Sequence, residues 1–461
     1  MPPLSSKGLP LAPSPASYRF PKNFVWGVAT AAAQIEGAAT TAGKGESIWD
    51  RFARKPGAVA RGDTPEHACE HYRRYRTDFA LMRKFGLRHY RFSVAWPRVL
   101  PTGRGGVNQP GLDFYDRLVD AMLAHQLTPW ATLFHWDLPQ ALEDEGGWRT
   151  RSTVTAFAAY ADAVVRTLGD RVKHWITMNE IPCFIGMGYR TGEHAPGARE
   201  HPAVVAQAYH HALLAHGEAV RAVRQWGGRG ARVGLTHNPE IGIPVTETPR
   251  EIAAAERWTD QKNGYLLTPV FRGHYPADYL RVCGSGRPKV GRGDLALISQ
   301  PTDFLGINIY TGTFIRAGAA GRPEVLPMPA HYPRADLPWL NHAPQSIYWA
   351  ARHLQRCYGI KSIFITENGA GYEEQPDAQG EILDLHRRDY FRNYLLAVQR
   401  ATAERIPVHG YFAWSFIDNF EWAYGYAKRF GLVYVDYATQ RRTPKLSAHW
   451  YAAVVRENRV L

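Results

Sequence analysis

Cysteine is scarce in this chain. Its 461 residues hold four, Cys69, Cys183, Cys283 and Cys357, far apart and with no C-x-x-C pair. That spacing excludes a disulfide framework and a zinc knuckle and leaves ordinary reduced thiols. Long apolar runs are missing too. Nothing approaches the roughly 18 residues that cross a bilayer, and the Pro/Ser-rich stretch over residues 1–17 lacks the apolar core of about 7–15 residues that a signal peptide needs. The expectations are a flexible leader over 1–17, one catalytic domain over 18–461, no membrane partner and a cytoplasmic location. Acidic residues are the minority, 42 Asp and Glu against 55 Lys and Arg, for a formal charge of +13. The densest basic stretches, residues 71–76 and 221–232, lie in or beside helix-like patterns. Solvated helix faces account for them, and no nucleic-acid partner is expected.

Apolar residues are plentiful. A hydrophobic share of 45% and an aromatic share of 12% are too high for a disordered or collagen-like chain. Runs rich in Val, Ile, Phe, Tyr, Trp and Thr fall at residues 24–30, 89–96, 128–134, 174–180, 232–237, 303–310, 362–367 and 410–416. They are near-continuous, as strands buried on both faces must be. Helical patterns lie between them. Tyr72, Tyr75, Phe79 and Met82 stop at Gly86, and Val154, Phe157, Ala161, Val164 and Leu168 stop at Gly169, both glycines reading as C-terminal caps. Leu118, Val119, Met122 and Leu123 repeat the spacing, and the longest gap, 239–302, reads as loop plus helix. Eight strands alternating with helices predict an α/β fold, a single-domain (β/α)8 TIM barrel with elaborated βα loops.

In such a barrel the reacting groups belong at the C-terminal strand ends. Polar residues gather there: Gln34 and Glu36, His135-Trp136-Asp137, Asn179-Glu180, Asn308-Ile309-Tyr310, Thr366-Glu367-Asn368-Gly369, then Trp414-Ser415 with Glu421-Trp422. A carboxylate at the rim of a packed core is costly unless paired or used, and Glu180 and Glu367 both end apolar strands. Two carboxylates are what cleavage of a glycosidic bond needs, one to protonate the leaving oxygen and one to meet the oxocarbenium-like carbon. Trp136, Trp414 and Trp422 suit the apolar face of a pyranose, and Gln34, His135, Asn179 and Glu421 suit its hydroxyls. A metal reading of His135, Asp137, His210, His211 and His216 fails on spacing, because ligands on one helix face lie about three or four apart. Gly103-Arg104-Gly105-Gly106 lacks the end of a phosphate loop and reads as a turn.

From about Phe20 to about Tyr451 the chain resembles glycoside hydrolase family 1 β-glucosidases. The matching segments are Phe24 to Thr30 with Gln34-Ile35-Glu36-Gly37, Tyr90-Arg91-Phe92-Ser93 with Trp96-Pro97-Arg98, and His135-Trp136-Asp137-Leu138-Pro139. They continue with Asn179-Glu180, Asp303 to Asn308, Ile365 to Gly369 and Trp414 to Tyr437. The resemblance implies that Glu367 is the nucleophile and Glu180 the acid and then the base, with retained configuration, a small-molecule β-glycoside substrate and no cofactor or metal. It implies that Asn179 binds the 2-hydroxyl and that Arg91 and Tyr310 hold Glu367 ionised while its charge keeps Glu180 protonated. Asn308 supports that shell, Gln34, His135, Trp136, Glu421 and Trp422 take the other hydroxyls, Trp414 is the stacking floor, and Trp339 the leaving-group platform. Two departures stand out. The usual Asn-Glu-Pro reads Asn179-Glu180-Ile181-Pro182, so the following loop is expected to run differently. Relatives acting on 6-phospho sugars carry Ser in place of Glu421 and Tyr in place of Phe430, so a free hexose is expected. A transglycosidase using the same residues and a silent sugar-binding homologue remain the alternatives, and galactosides or fucosides remain further candidate substrates.

Overall fold

The computed structural model describes residues 18–461, so the leader read over residues 1–17 lies outside the described residues. Eight strands, β1 (Val25–Ala29), β2 (His89–Ser93), β3 (Thr128–Phe134), β4 (His174–Asn179), β5 (Arg232–His237), β6 (Phe304–Asn308), β7 (Ile363–Asn368) and β8 (Val408–Trp414), close in parallel order. β1 completes the ring by pairing with both β2 and β8, with Ala29 opposite Trp414. A helix follows each strand: α1 (His71–Lys84), α2 (Gln109–Ala124), α3 (Ser152–Leu168), α4 (Pro202–Trp226), α5 (Pro249–Arg272), α6 (Gln345–Tyr358), α7 (Leu385–Ala403) and α8 (Leu446–Glu457). This is the (β/α)8 arrangement that the strand count predicts. Among the described residues no helix is long and apolar enough to cross a membrane.

The strands pair as they do because both faces are buried. Every residue of β6 and β7 is buried, as parallel strands between a packed barrel interior and a ring of helices must be. Trp130 of β3 fills that interior, its ring centroid 4.1 Å from His174, 4.9 Å from Phe364, 5.0 Å from Phe412 and 5.7 Å from Phe304. Replacing Trp130 by alanine is expected to cost about 3–5 kcal/mol, read as a lower guanidinium midpoint.

Several local expectations shift. The run at 89–96 ends as a strand at Ser93, because Pro97 starts the short helix Trp96–Val99. Gly86 takes φ +72 as a left-handed cap, but Gly169 has φ −68. It is needed there because a Cβ would press on the Val165 and Trp226 carbonyl oxygens, where α3 and α4 end side by side. Leu123 does not join the apolar face of α2, being 42% exposed. The gap at 239–302 holds α5 and a short strand, Gly242–Pro244, which joins Thr313–Ala317 and Pro323–Val325 in a small sheet outside the barrel.

Candidate active site

The C-terminal ends of β4, β7 and β8 and the loops beyond β3, β6 and β8 meet around one cavity of about 430 Å³. Glu180 and Glu367 line it with His135, Trp136, Asn179, Tyr310, Trp339, Trp414, Glu421, Trp422 and Phe430. Gln34, Arg91 and Asn308, also singled out from the sequence, are buried and do not line it.

Glu367 sits near the end of β7. One carboxylate oxygen accepts from Arg91 Nη1 and the other from the Tyr310 hydroxyl at 2.6 Å. Arg91 is fully buried, and its other contacts go to Thr132 Oγ1 at 3.2 Å, Thr366 O at 3.2 Å and Asn179 Oδ1 at 2.6 Å. A buried guanidinium is tolerable only when paired as fully as this. Gly369, two residues on, lies where a Cβ would collide with the Trp414 carbonyl oxygen. The glycine of the Thr-Glu-Asn-Gly run therefore lets β7 lie against β8.

Glu180 follows β4 with φ +52, and Trp136 and Trp422 take φ +79 and +49. Left-handed backbone is rare outside glycine, and such residues gather where the surroundings over-determine them. Glu180 Oε1 accepts from Asn308 Nδ2 at 2.6 Å. Burial first, and the Glu367 charge second, push the Glu180 carboxyl up to about 7. Desolvation is the larger cause, ahead of the neighbouring charge that the sequence points to. The departure after the acid also has a form: Pro182–Thr191 is a π-helix, a wide turn that recurs at functional sites.

Asn179 connects the two carboxyls. Its Oδ1 accepts from Arg91 Nη2 at 2.6 Å and Asn308 Nδ2 at 3.1 Å, which orients the amide so that Nδ2 donates to His135 Nε2 at 3.1 Å. Burial holds His135 well below the ordinary imidazole range, so the ring is neutral, Nε2 accepts and Nδ1 carries the proton. His135 Nδ1, Gln34 Oε1 and Glu421 Oε2 are buried and have no protein partner. Gln34 spends Nε2 on Asn419 Oδ1 and Phe420 O, beside Glu421. Leaving such groups unmet costs about 1–3 kcal/mol each, and a polyhydroxylated ligand would satisfy them.

The aromatic rings divide by exposure. Trp414 and Trp422 are 3% and 5% exposed and stack on His135 at 5.9 and 6.0 Å, whereas Trp339 is 41% exposed at the mouth, edge-on to Tyr310 at 5.8 Å. Phe430 also meets Tyr310 edge-on, at 6.2 Å. Trp136 donates Nε1 to Asn179 O at 2.8 Å, so its indole face, and not its N–H, remains to meet a ligand.

Burial, then the charges of Glu367 and Glu180, push Glu421 up to about 8. A carboxyl whose pKa rises on folding keeps its proton in the native state while the unfolded chain has lost it, so stability falls as pH climbs from about 4.5 to about 8. Glu421→Gln is therefore expected to melt several degrees above the parent at pH 8, with the gap closing toward pH 5, while KM for a β-glucoside rises. Equal melting curves at both pH values would contradict it.

Not every strand-end group belongs to the site. Glu36 is taken by Arg98, at 2.9 and 3.0 Å, and by the Tyr115 hydroxyl at 2.6 Å. Asp137 faces a separate small cavity with Glu36, Lys44, Ser47 and Asp50. His210 lies between Tyr275 and Asp294, His211 meets Trp148 O, and His216 meets Thr177. Lys428 pairs with Glu373 at 2.7 Å. Conversely, Cys183, Met187, Glu193, His194, Asn238 and Tyr424 line the cavity and were not singled out. They come from the π-helix and the long loops, where no periodicity marks a direction.

The model of glycosyl hydrolase family 1 matches residues 16–460. The 1,4-beta-D-glucan glucohydrolase of Thermotoga neapolitana is 40% identical over 95% of this chain and 99% of that one. The thermostable beta-glucosidase B of Thermobispora bispora is 45% identical over 95% and 91%. The structure of the beta-glucosidase from Thermotoga maritima in complex with deoxynojirimycin superposes with a TM-score of 0.88 at 39% identity, covering 96% of this chain and 100% of that one.

Proposed function

Because the chain belongs to glycosyl hydrolase family 1 and is a retaining β-glucosidase, we propose that Glu367 and Glu180 divide the two chemical steps between them. Glu367 attacks the anomeric carbon as the C–O bond to the leaving group breaks, and Glu180 gives its proton to the departing oxygen. Water then attacks the glucosyl ester from the same face the leaving group left. Glu180 takes the water's proton, and Glu367 is released. Formation of the ester removes the charge that helps push Glu180 up, so the same group turns from acid to base between steps.

The observation that carries this reading is the unequal pairing of the two carboxyls in one cavity. Glu367 holds a guanidinium and a phenol, while Glu180 holds one amide and sits at about 7. In the sugar subsite we assign His135 Nδ1, Gln34 Oε1 and Glu421 to hydroxyls, Asn179 Nδ2 to the 2-hydroxyl, Trp414 and Trp422 to the ring, and Trp339 to the leaving group. The deoxynojirimycin held by the Thermotoga maritima relative supports a single small sugar as the unit recognised here. Glu421 and the paired Lys428 favour a free hexose over a 6-phospho sugar. The catalytic unit is proposed to run over 18–461, and four free cysteines support a cytoplasmic setting.

Nitrophenol release from the β-glucoside, β-galactoside, β-fucoside, α-glucoside and 6-phospho-β-glucoside tests it. The β-glucoside should turn over best, with weaker release from the fucoside and galactoside, whose 4-hydroxyl is axial. Faster release from the phosphorylated or α-linked substrate would refute the assignment.

A further inference from the structure

We propose that Cys183 is a positioning residue for Glu180, its thiol, held by Asn238, donating to the Glu180 carboxyl so that the group remains able both to release and to take back a proton. This rests on Glu180 as the acid and base. The geometry places Cys183 second in the π-helix, where its backbone N–H donates to Glu180 O at 2.9 Å. Asn238 Nδ2 donates to Cys183 Sγ at 3.1 Å. The sulfur accepts from Asn238, so its own hydrogen is free for an acceptor in the cavity, and the thiol and the Glu180 carboxyl perturb each other electrostatically. Cys183, Asn238 and Glu180 all line the cavity.

The chemistry follows from donor strength. Asn308 already supplies a full hydrogen bond to Glu180 Oε1 at 2.6 Å, and a thiol is a weak second donor. Two strong donors would hold the carboxylate too firmly for it to serve as an acid, because hydrogen bonds to the charged form favour it. An apolar residue would leave the carboxylate of the second step with one donor. Burial and Glu180 keep the Cys183 thiol protonated, well above the usual thiol range, so it acts as a donor and not as a nucleophile. The groups facing Glu180 are Glu367, Arg91, Tyr310 and Glu421, and Tyr209 of α4 faces Cys183. None of these changes when Cys183 is replaced.

The test is kcat/KM for nitrophenyl β-glucoside across about pH 5 to 9 in the full chain, for the parent, Cys183→Ala, Cys183→Ser and Glu180→Gln. In Cys183→Ala the alkaline limb, which Glu180 sets near 7, should move up by roughly half a pH unit, the scale of one weak hydrogen bond. In Cys183→Ser, which keeps a donor and nearly the same volume, it should move down. A limb that stays put in the folded serine variant, or moves the same way in both variants, overturns the proposal, since mere repacking would not reverse the shift. If the limb persists in Glu180→Gln, the assignment of Glu180 itself fails and the proposal falls with it. If it vanishes there yet ignores Cys183, only the proposal fails.

Discussion

Glu367→Ala is expected to lower turnover of an aryl β-glucoside by on the order of 10⁵-fold or more, and added azide should restore turnover with α-glucosyl azide as the product. Truncation removes the carboxylate proposed to attack, while the Arg91 network that shapes the site keeps its bonds to Asn179, Thr132 and Thr366. The space vacated by the carboxylate, beside a buried guanidinium, suits a small anion. Azide bound there displaces the leaving group once, on the opposite face, and with no ester to hydrolyse the configuration stays inverted. A β-azide product, or a loss of only tenfold, would contradict the assignment of Glu367. The guanidinium left unpaired should also cost stability, about 3–5 kcal/mol by the rule for broken buried pairs, so the comparison belongs well below the variant's melting point.

Glu180→Gln is expected to separate substrates by leaving group. With nitrophenyl or alkyl glucosides, which need a proton on the departing oxygen, kcat/KM should fall by about 10²- to 10⁴-fold. A dinitrophenyl glucoside leaves without that help, so its kcat/KM should change little while kcat drops, because the base for the second step is missing. A burst of dinitrophenol should then precede a slow steady state, and azide, which needs no base, should speed that state and give the β-azide. Glutamine keeps an oxygen for Asn308 Nδ2, so the pocket is retained. An equal loss for every leaving group would mean that Glu180 orients the substrate and moves no proton.

The barrel is readable in the sequence because burial on both faces forces near-continuous apolar runs, and the rim is readable because carboxylates and amides end those runs. Glu180 and Glu367 stand out on those grounds alone. What composition does not carry is backbone conformation. Nothing in the residue types at 136, 180 and 422 signals positive φ, since neither Trp nor Glu favours it, and the packing around the cavity imposes it. The π-helix is equally silent: Pro182 marks a start, but no spacing in the run distinguishes a wide turn from an ordinary one. Glu36 and Asp137 show the converse. Both lie in the segments that follow barrel strands, yet Arg98, brought in by the Trp-Pro-Arg segment, takes Glu36 into the framework, and Asp137 turns into a separate cavity. Strand-end position is therefore not sufficient, and the partner decides.

The role of Glu367 is tested most directly by incubating the chain with a 2-deoxy-2-fluoro-β-glucoside carrying a good leaving group and locating the adduct by peptide mass spectrometry. The fluorine slows hydrolysis of the ester more than its formation, so the intermediate accumulates. One fluoroglucosyl group per chain is expected, on Glu367, with activity lost in step. Label on Glu180 or Glu421, or inactivation with no covalent adduct, would contradict it.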